Sequence, residues 1–144
     1  MMHRTRGHAP PVEVNVGFAA GNGGDGVAYA ALREPDGAES IVRVGFRCRP
    51  LAALRGRDIA YHALSALAAE LLRRDVRDAV FRIDDPELPV DLSERRALPA
   101  ALTIPYVALR CTLNRFRSAT VVSGEPARDL AARARAEVSL NFAA

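Results

Sequence analysis

The sequence contains no lysine: all twenty of its basic residues are arginine. That absence excludes the Lys-Ser or Lys-Thr phosphate loop of nucleotide hydrolases, whose lysine reaches the terminal phosphates. A GC-rich coding sequence also produces an all-arginine complement, so arginine abundance alone assigns no partner. It does suit phosphate, because the planar guanidinium donates two parallel hydrogen bonds. Cysteine is nearly as scarce. Cys48 and Cys111 have neither a partnered spacing nor a nearby histidine pair, which argues against a disulfide framework or a thiolate zinc site. Two core thiols in a reduced, cytoplasmic protein are the expectation. Long apolar runs are missing too, each being broken by Arg or Pro well short of the ~20 residues of a membrane span, so no membrane partner is expected. No apolar run follows His3, Arg4, Arg6 and His8, so residues 1–11 read as a disordered leader and not as a signal peptide. The net charge of +3 is modest, and 49% hydrophobic with 26% charged residues is the balance of a globular chain. Residues 12–144 are read as a single domain.

Apolar and polar residues alternate from Val12 to Val16, the period of a strand with one buried face. A glycine-rich loop, residues 21–26, leads to a second strand over 27–32, and Pro35-Asp36-Gly37 marks a turn. Residues 40–49 alternate again, with Ile41, Arg43, Gly45, Arg47 and Arg49 on one side and Val42, Val44, Phe46 and Cys48 on the other. Three strands joined by short turns predict an antiparallel meander. Residues 58–74 switch to helical spacing, with Asp58 placed as the cap and Arg73-Arg74 at the end where the dipole favours cations. A short strand over 78–83 follows, and a strand–helix–strand unit of this length predicts parallel pairing. Residues 88–98 show no clear period. Residues 105–114 predict a helix entered through proline, 116–122 a fifth strand, and 126–140 a closing amphipathic helix. The order β-β-β-α-β-α-β-α predicts one mixed five-stranded α/β sheet, three strands antiparallel and the rest parallel, flanked by helices.

Gly21, Gly23 and Gly26 spell the GxGxxG of dinucleotide sites. The helix whose N-terminus should face the pyrophosphate is not there, because residues 27–32 are strand-like and end at Pro35. A glycine-rich hairpin turn, with residues at positive φ, is the simpler reading. The loop also resembles ribonuclease H, of the ribonuclease HI type. In that family the first strand ends in Asp-Gly followed by a Gly-Asn-x-Gly-x-Gly loop; here the residues are Val16-Gly17 and then Gly21 to Gly26, with Asn22 in place. Ile59-Ala60-Tyr61-His62-Ala63-Leu64 resembles the Ala-Glu-Tyr-x-Ala-Leu of its first helix, and Asp84-Asp85 stands at the end of the fourth strand. Ala127-Arg128-Asp129-Leu130-Ala131 resembles the Ala-Asp-x-Leu-Ala of its last helix. The four matches run in order from about Val12 to about Leu140.

The resemblance implies a two-metal centre in which several carboxylates hold a pair of Mg²⁺ ions for endonucleolytic cleavage of RNA. It also implies that the acids are mostly gone. Val16, Ala60 and Arg128 stand where three of them belong, and Asp84 is the one retained, so an inactive domain with no cofactor is expected. Asp129 and Asp85 lie one residue from family positions, as Asn15 does, and a displaced, Mg-dependent active site is the alternative. The run Asp84, Asp85, Glu87, Asp91 is a further cation candidate, although such runs are more often solvated turns. His62 is a candidate general base on paper and a helix-surface residue by default. Arg43, Arg47 and Arg49, followed by Arg55 and Arg57 before the helix, and Asn22, which matches a backbone-contacting loop residue of relatives, suggest a surface tracking phosphates of an RNA/DNA hybrid or structured RNA. No aromatic residues interleave with these arginines, so base-stacking platforms are not expected. A protein-interaction scaffold that kept only the fold is the third reading.

Overall fold

The computed structural model describes residues 10–21, 23–94, 96–124 and 128–143, with side chains at the C-terminal end described through residue 140. Nine of the eleven residues expected to form a leader, 1–9, lie outside the described residues. The meander is present: β1 (Val12–Ala20), β2 (Asp25–Arg33) and β3 (Glu39–Arg47) pair antiparallel in sequence. The sheet order is β3-β2-β1-β4-β5, with β4 (Asp78–Ile83) parallel to β1 and β5 (Ser118–Ser123) parallel to β4. Alternation decides which residues meet the helices. Val12, Val14 and Val16 of β1 and Ala79, Phe81 and Ile83 of β4 form one buried face with α1 (Arg57–Arg73). Tyr61, Leu64, Leu67, Ala68 and Leu71 supply the helical side of this core at the i, i+3, i+4, i+7 spacing of one helix face.

Two further helices join the same side of the sheet. The aperiodic stretch contains α2 (Glu87–Ser93), hidden from the sequence because it is seven residues long with Pro89 in its first turn. It is followed by α3 (Thr103–Leu113), which starts two residues before the expected Pro105 and packs on α1. The last helix, α4 (Arg128–Ala143), lies on the opposite face, burying Leu130 and Ala134 against Val27 and Tyr29. Its approach explains Gly17: a Cβ there would sit 2.5 Å from the backbone nitrogen of Ala131. The glycine loop closes the β1–β2 hairpin, with Gly24 at φ +95° and its carbonyl accepting the Cys48 amide at 2.7 Å.

Two local expectations are corrected. The residue preceding α1 as its cap is Gly56, and Asp58 lies inside the first turn. The buried carboxylate of Asp58 instead accepts the Leu51 amide at 2.8 Å, tying down the connection between β3 and α1. Cys48 is buried as expected, but Cys111 is exposed, because α3 turns Leu102, Leu109 and Leu113 inward and leaves position 111 on its outer side. Among the described residues no helix is long and apolar enough to cross a membrane.

Candidate functional site

The positions matched to metal-binding acids gather at one end of the sheet. Val16 pairs in parallel register with Ile83, and the next residue on that chain is Asp84. Ala60 is in the first turns of α1, and α4 begins at Arg128 and passes against Gly17. Beside the end of β4 and the start of α1 lies an open cleft of about 660 Å³, lined by Phe18, Arg55, Arg57, Ile59, Asp84, Asp85 and Glu87 among others.

The chemistry of this gathering place is apolar where carboxylates would be needed. Val16 and Ala60 are both 0% exposed and belong to the main hydrophobic core with Ile83 and Leu88. Asp84 is exposed at the cleft rim. The side chain of Arg128 lies outside the described residues. Asp129, the neighbouring candidate acid, is exposed on α4.

The acidic run beyond Asp84 does not converge either. Asp85 Oδ1 accepts the amides of Glu87 at 2.8 Å and Leu88 at 3.2 Å, capping α2, and burial pushes its carboxyl above the usual range. Glu87 accepts from Arg96 at 2.6 Å. Asp91 is buried, and its two oxygens are fully engaged. Oδ2 accepts from Arg57 Nη2 and the Tyr61 hydroxyl, each at 2.8 Å, and Oδ1 accepts from Arg96 Nη2 at 2.7 Å. Burial on its own would raise Asp91, but hydrogen bonds from Tyr61, Arg96 and Arg57 outweigh it and hold the carboxyl below its ordinary value. Burial, with the bond to Asp91, pushes the Tyr61 hydroxyl up.

This network was not anticipated, yet the sequence carries its signal. Arg57 and Tyr61 are four apart on α1, and Asp91 interrupts an otherwise apolar Leu88/Leu92 spacing on α2. A charge at a core-facing position must find partners. Three donors, two from α1 and one from the segment after α2, converge on Asp91 and tie α2 to α1. Among the described residues no group of three or more His, Cys, Asp or Glu side chains converges. A pair of hard divalent ions needs several oxygen donors that also offset its charge. Asp84 exposed, Asp85 and Glu87 already engaged, and Val16 and Ala60 sealed in the core do not fit that requirement. His62 is half-buried on α1 and takes no place in the cleft lining.

The predicted basic surface is only partly free. Arg43 faces outward on β3 and forms a two-pronged pair with Glu137 of α4, whose carboxylate also accepts the Tyr29 hydroxyl. Hydrogen bonds from Arg43 and Tyr29 hold Glu137 down to about 2. Arg47 bonds its cross-strand partner Asp25 at 2.5 Å. Arg49, past the end of β3, is exposed beside Gly24 and has no ion-pair partner among the described residues. Arg55, exposed in the connection leading to α1, shares that freedom, whereas Arg57 is committed to Asp91. Asn22 lies outside the described residues.

No family model matches the sequence, and no curated protein matches it significantly. Solved structures do. The ribonuclease H1 of the halophilic archaeon Halobacterium salinarum superposes with a TM-score of 0.69 at 18% identity, over 92% of this chain and 99% of that one. The chain has the ribonuclease H fold. The N-terminal RNase H domain of rv2228c from Mycobacterium tuberculosis, solved as a maltose-binding-protein fusion, matches at TM-score 0.62 and 17% identity over 93% of this chain and 99% of that one. LC11-RNase H1, solved in complex with an RNA/DNA hybrid, matches at 0.55 and 14% over 87% and 91%. At these identities the shared property is the ribonuclease H fold itself: a mixed sheet with three antiparallel strands first, as the residue pattern implied.

Proposed function

We propose that this chain is a ribonuclease H-fold domain that binds nucleic acid without cutting it. The observation that carries the first half is the burial of Val16 and Ala60 in the hydrophobic core, which leaves Asp84 at the cleft with only Asp85, engaged by the amides of α2, and Glu87, paired with Arg96. Support for the second half comes from the free cations Arg49 and Arg55, which flank the glycine hairpin and the cleft, and from the neighbour LC11-RNase H1, whose structure holds an RNA/DNA hybrid. Asn22, Arg43 and Arg47 extend this surface. The guanidiniums of Arg43 and Arg47 are already neutralised by Glu137 and Asp25, so Arg49 and Arg55 carry the larger share of phosphate contact.

An RNA–DNA hybrid labelled with a fluorophore tests both halves. Binding is expected to weaken steeply between 50 and 200 mM salt, as for contacts that release counterions, by roughly tenfold if two phosphates are engaged. The double variant Arg49→Ala/Arg55→Ala should flatten that dependence. Hybrid incubated with Mg²⁺ or Mn²⁺ should stay intact, with wild type and Asp84→Asn indistinguishable. Metal-dependent cleavage lost in Asp84→Asn would establish the displaced-acid nuclease instead. Absence of salt-dependent binding would leave the interaction scaffold.

A further inference from the structure

The outer side of α3 is apolar and has no cover. Ile104 is 81% exposed and Val107 51% exposed, and Ala108 and Cys111 are exposed beside them. These positions follow i, i+3, i+4, i+7, so they form one stripe along the helix, opposite the Leu102, Leu109 and Leu113 that pack inward. Ile104, Val107 and Ala108 sit in a window, residues 97–109, that holds no charged residue, and Cys111 follows it just after Arg110. In an arginine-rich chain whose other helices carry exposed charges, such a surface marks a contact site.

We propose that α3 is a self-association surface, with two copies packing α3 against α3, antiparallel, about a two-fold axis passing between Val107 and Ala108. Charge selects this occupant and this direction. The stripe offers no donor or cation to a nucleic-acid phosphate and nothing to pair with a charged peptide, whereas a second copy brings an equally uncharged face and desolvates no ion. Antiparallel packing about that axis sets Arg110 opposite Pro105 and Arg115 opposite Ala100. A parallel pairing would bring Arg110 against Arg110, a like-charge cost. Size agrees with the same register: Ile104 meets Cys111 of the second copy and Val107 meets Ala108, large against small, which lets two helices approach at the 8–10 Å of close packing. Opposed helix dipoles favour it further. Four side chains bury on the order of 400 Å² per copy, about half of a standard interface, so the dimer is weak and concentration-dependent. This surface lies on a different element from the arginines of the nucleic-acid reading and does not depend on that reading.

Sedimentation velocity from about 10 μM to about 1 mM is expected to show a monomer passing to a dimer with a dissociation constant near 100 μM. Ile104→Asp places an acid in the first turn of α3, where the helix tolerates it, and should abolish the dimer with the far-UV spectrum and melting temperature unchanged. The register is tested by cross-linking with copper–phenanthroline, which takes two electrons and two protons from a thiol pair. Ala108→Cys in a Cys111→Ser background lies next to the axis and should cross-link. The native thiols, each about 5 Å along the helix from the axis and so roughly 10 Å apart, should not, being beyond disulfide reach. A monomer throughout the range, a dimer that survives Ile104→Asp, or cross-linking at Cys111 in preference to Ala108→Cys would each overturn the proposal. So would Ile104-dependent flotation with anionic vesicles by a protein that stays monomeric.

Discussion

Placing an acid at position 16 gives a quantitative test of the view that this position, matched to a family acid, is core. The valine side chain is 0% exposed and packs with Ile83 and Ala60. Val16→Asp first forfeits the burial of an apolar side chain, about 1.5–3 kcal/mol. It also places a carboxyl in a site with no donor on the cluster around it, and burial of that kind raises a carboxyl by about three pH units. At 1.36 kcal/mol per unit the ionisation penalty is about 4 kcal/mol at pH 7.5 and about 1.5 at pH 5. The total, roughly 5–7 kcal/mol near neutrality, approaches the whole stability of an ordinary domain. The sign follows from proton linkage: the folded-state value lies above the unfolded one, so the native state holds the extra proton, and stability falls as pH rises between about 4 and about 7. Urea unfolding at pH 5 and pH 7.5 should therefore show the gap between wild type and Val16→Asp widening by about 2–2.5 kcal/mol. Val16→Asn, polar but not ionisable, should keep a constant gap and serves if the aspartate variant is too unstable at the higher pH. Millimolar Mg²⁺ should stabilise neither. A Val16→Asp protein as stable as wild type at both pH values, or one stabilised by Mg²⁺, would refute the reasoning, because it would mean that water or compensating donors already reach the site.

Two other perturbations probe the polar contacts that hold the helices. Glu137, held near 2 by Arg43 and Tyr29, contributes stability that is present above the ordinary glutamate value and lost as pH falls from about 4.5 toward 2. Glu137→Gln should cost about 1 kcal/mol at pH 7 and flatten acid unfolding over that window, measured by circular dichroism. Tyr61→Phe removes one donor from the buried Asp91 and should cost about 1.5–3 kcal/mol in urea unfolding, leaving Arg57 and Arg96 as its partners.

The sheet was legible because strands of an antiparallel meander write their burial into a period of two. Val12, Val14 and Val16 point one way, the turn residues lie between, and the order of the remaining elements left one mixed topology. What stayed hidden was governed by tertiary contact. No local pattern distinguishes Arg43, bound by a glutamate 94 positions away, from Arg49, which is free. The acidic run from Asp84 to Asp91 looked like one site because the residues are close in sequence. Three separate demands divide it: a helix N-terminus takes Asp85, an arginine takes Glu87, and the core takes Asp91. α2 and the exposed stripe of α3 escaped for a related reason. A seven-residue helix is too short to show a period, and in α3 apolar residues occur on both sides, so the outward Ile104 and Cys111 could not be told from the inward Leu109 by spacing alone.

On the proposed reading, the absence of acids at positions 16 and 60 and the retention of the fold have one physical explanation. Carboxylates crowded at a sheet end repel one another and store instability that bound cations relieve. Replacing two of them by Val16 and Ala60 removes that repulsion and adds apolar burial, so each step toward an inert cleft also stabilises the domain. The junction between α1 and α2 is fastened by the Arg57–Asp91–Tyr61–Arg96 network, which requires no ion. The return path is uphill at every single step, since one reinstated acid meets a sealed core and finds neither a second carboxylate nor a metal to share.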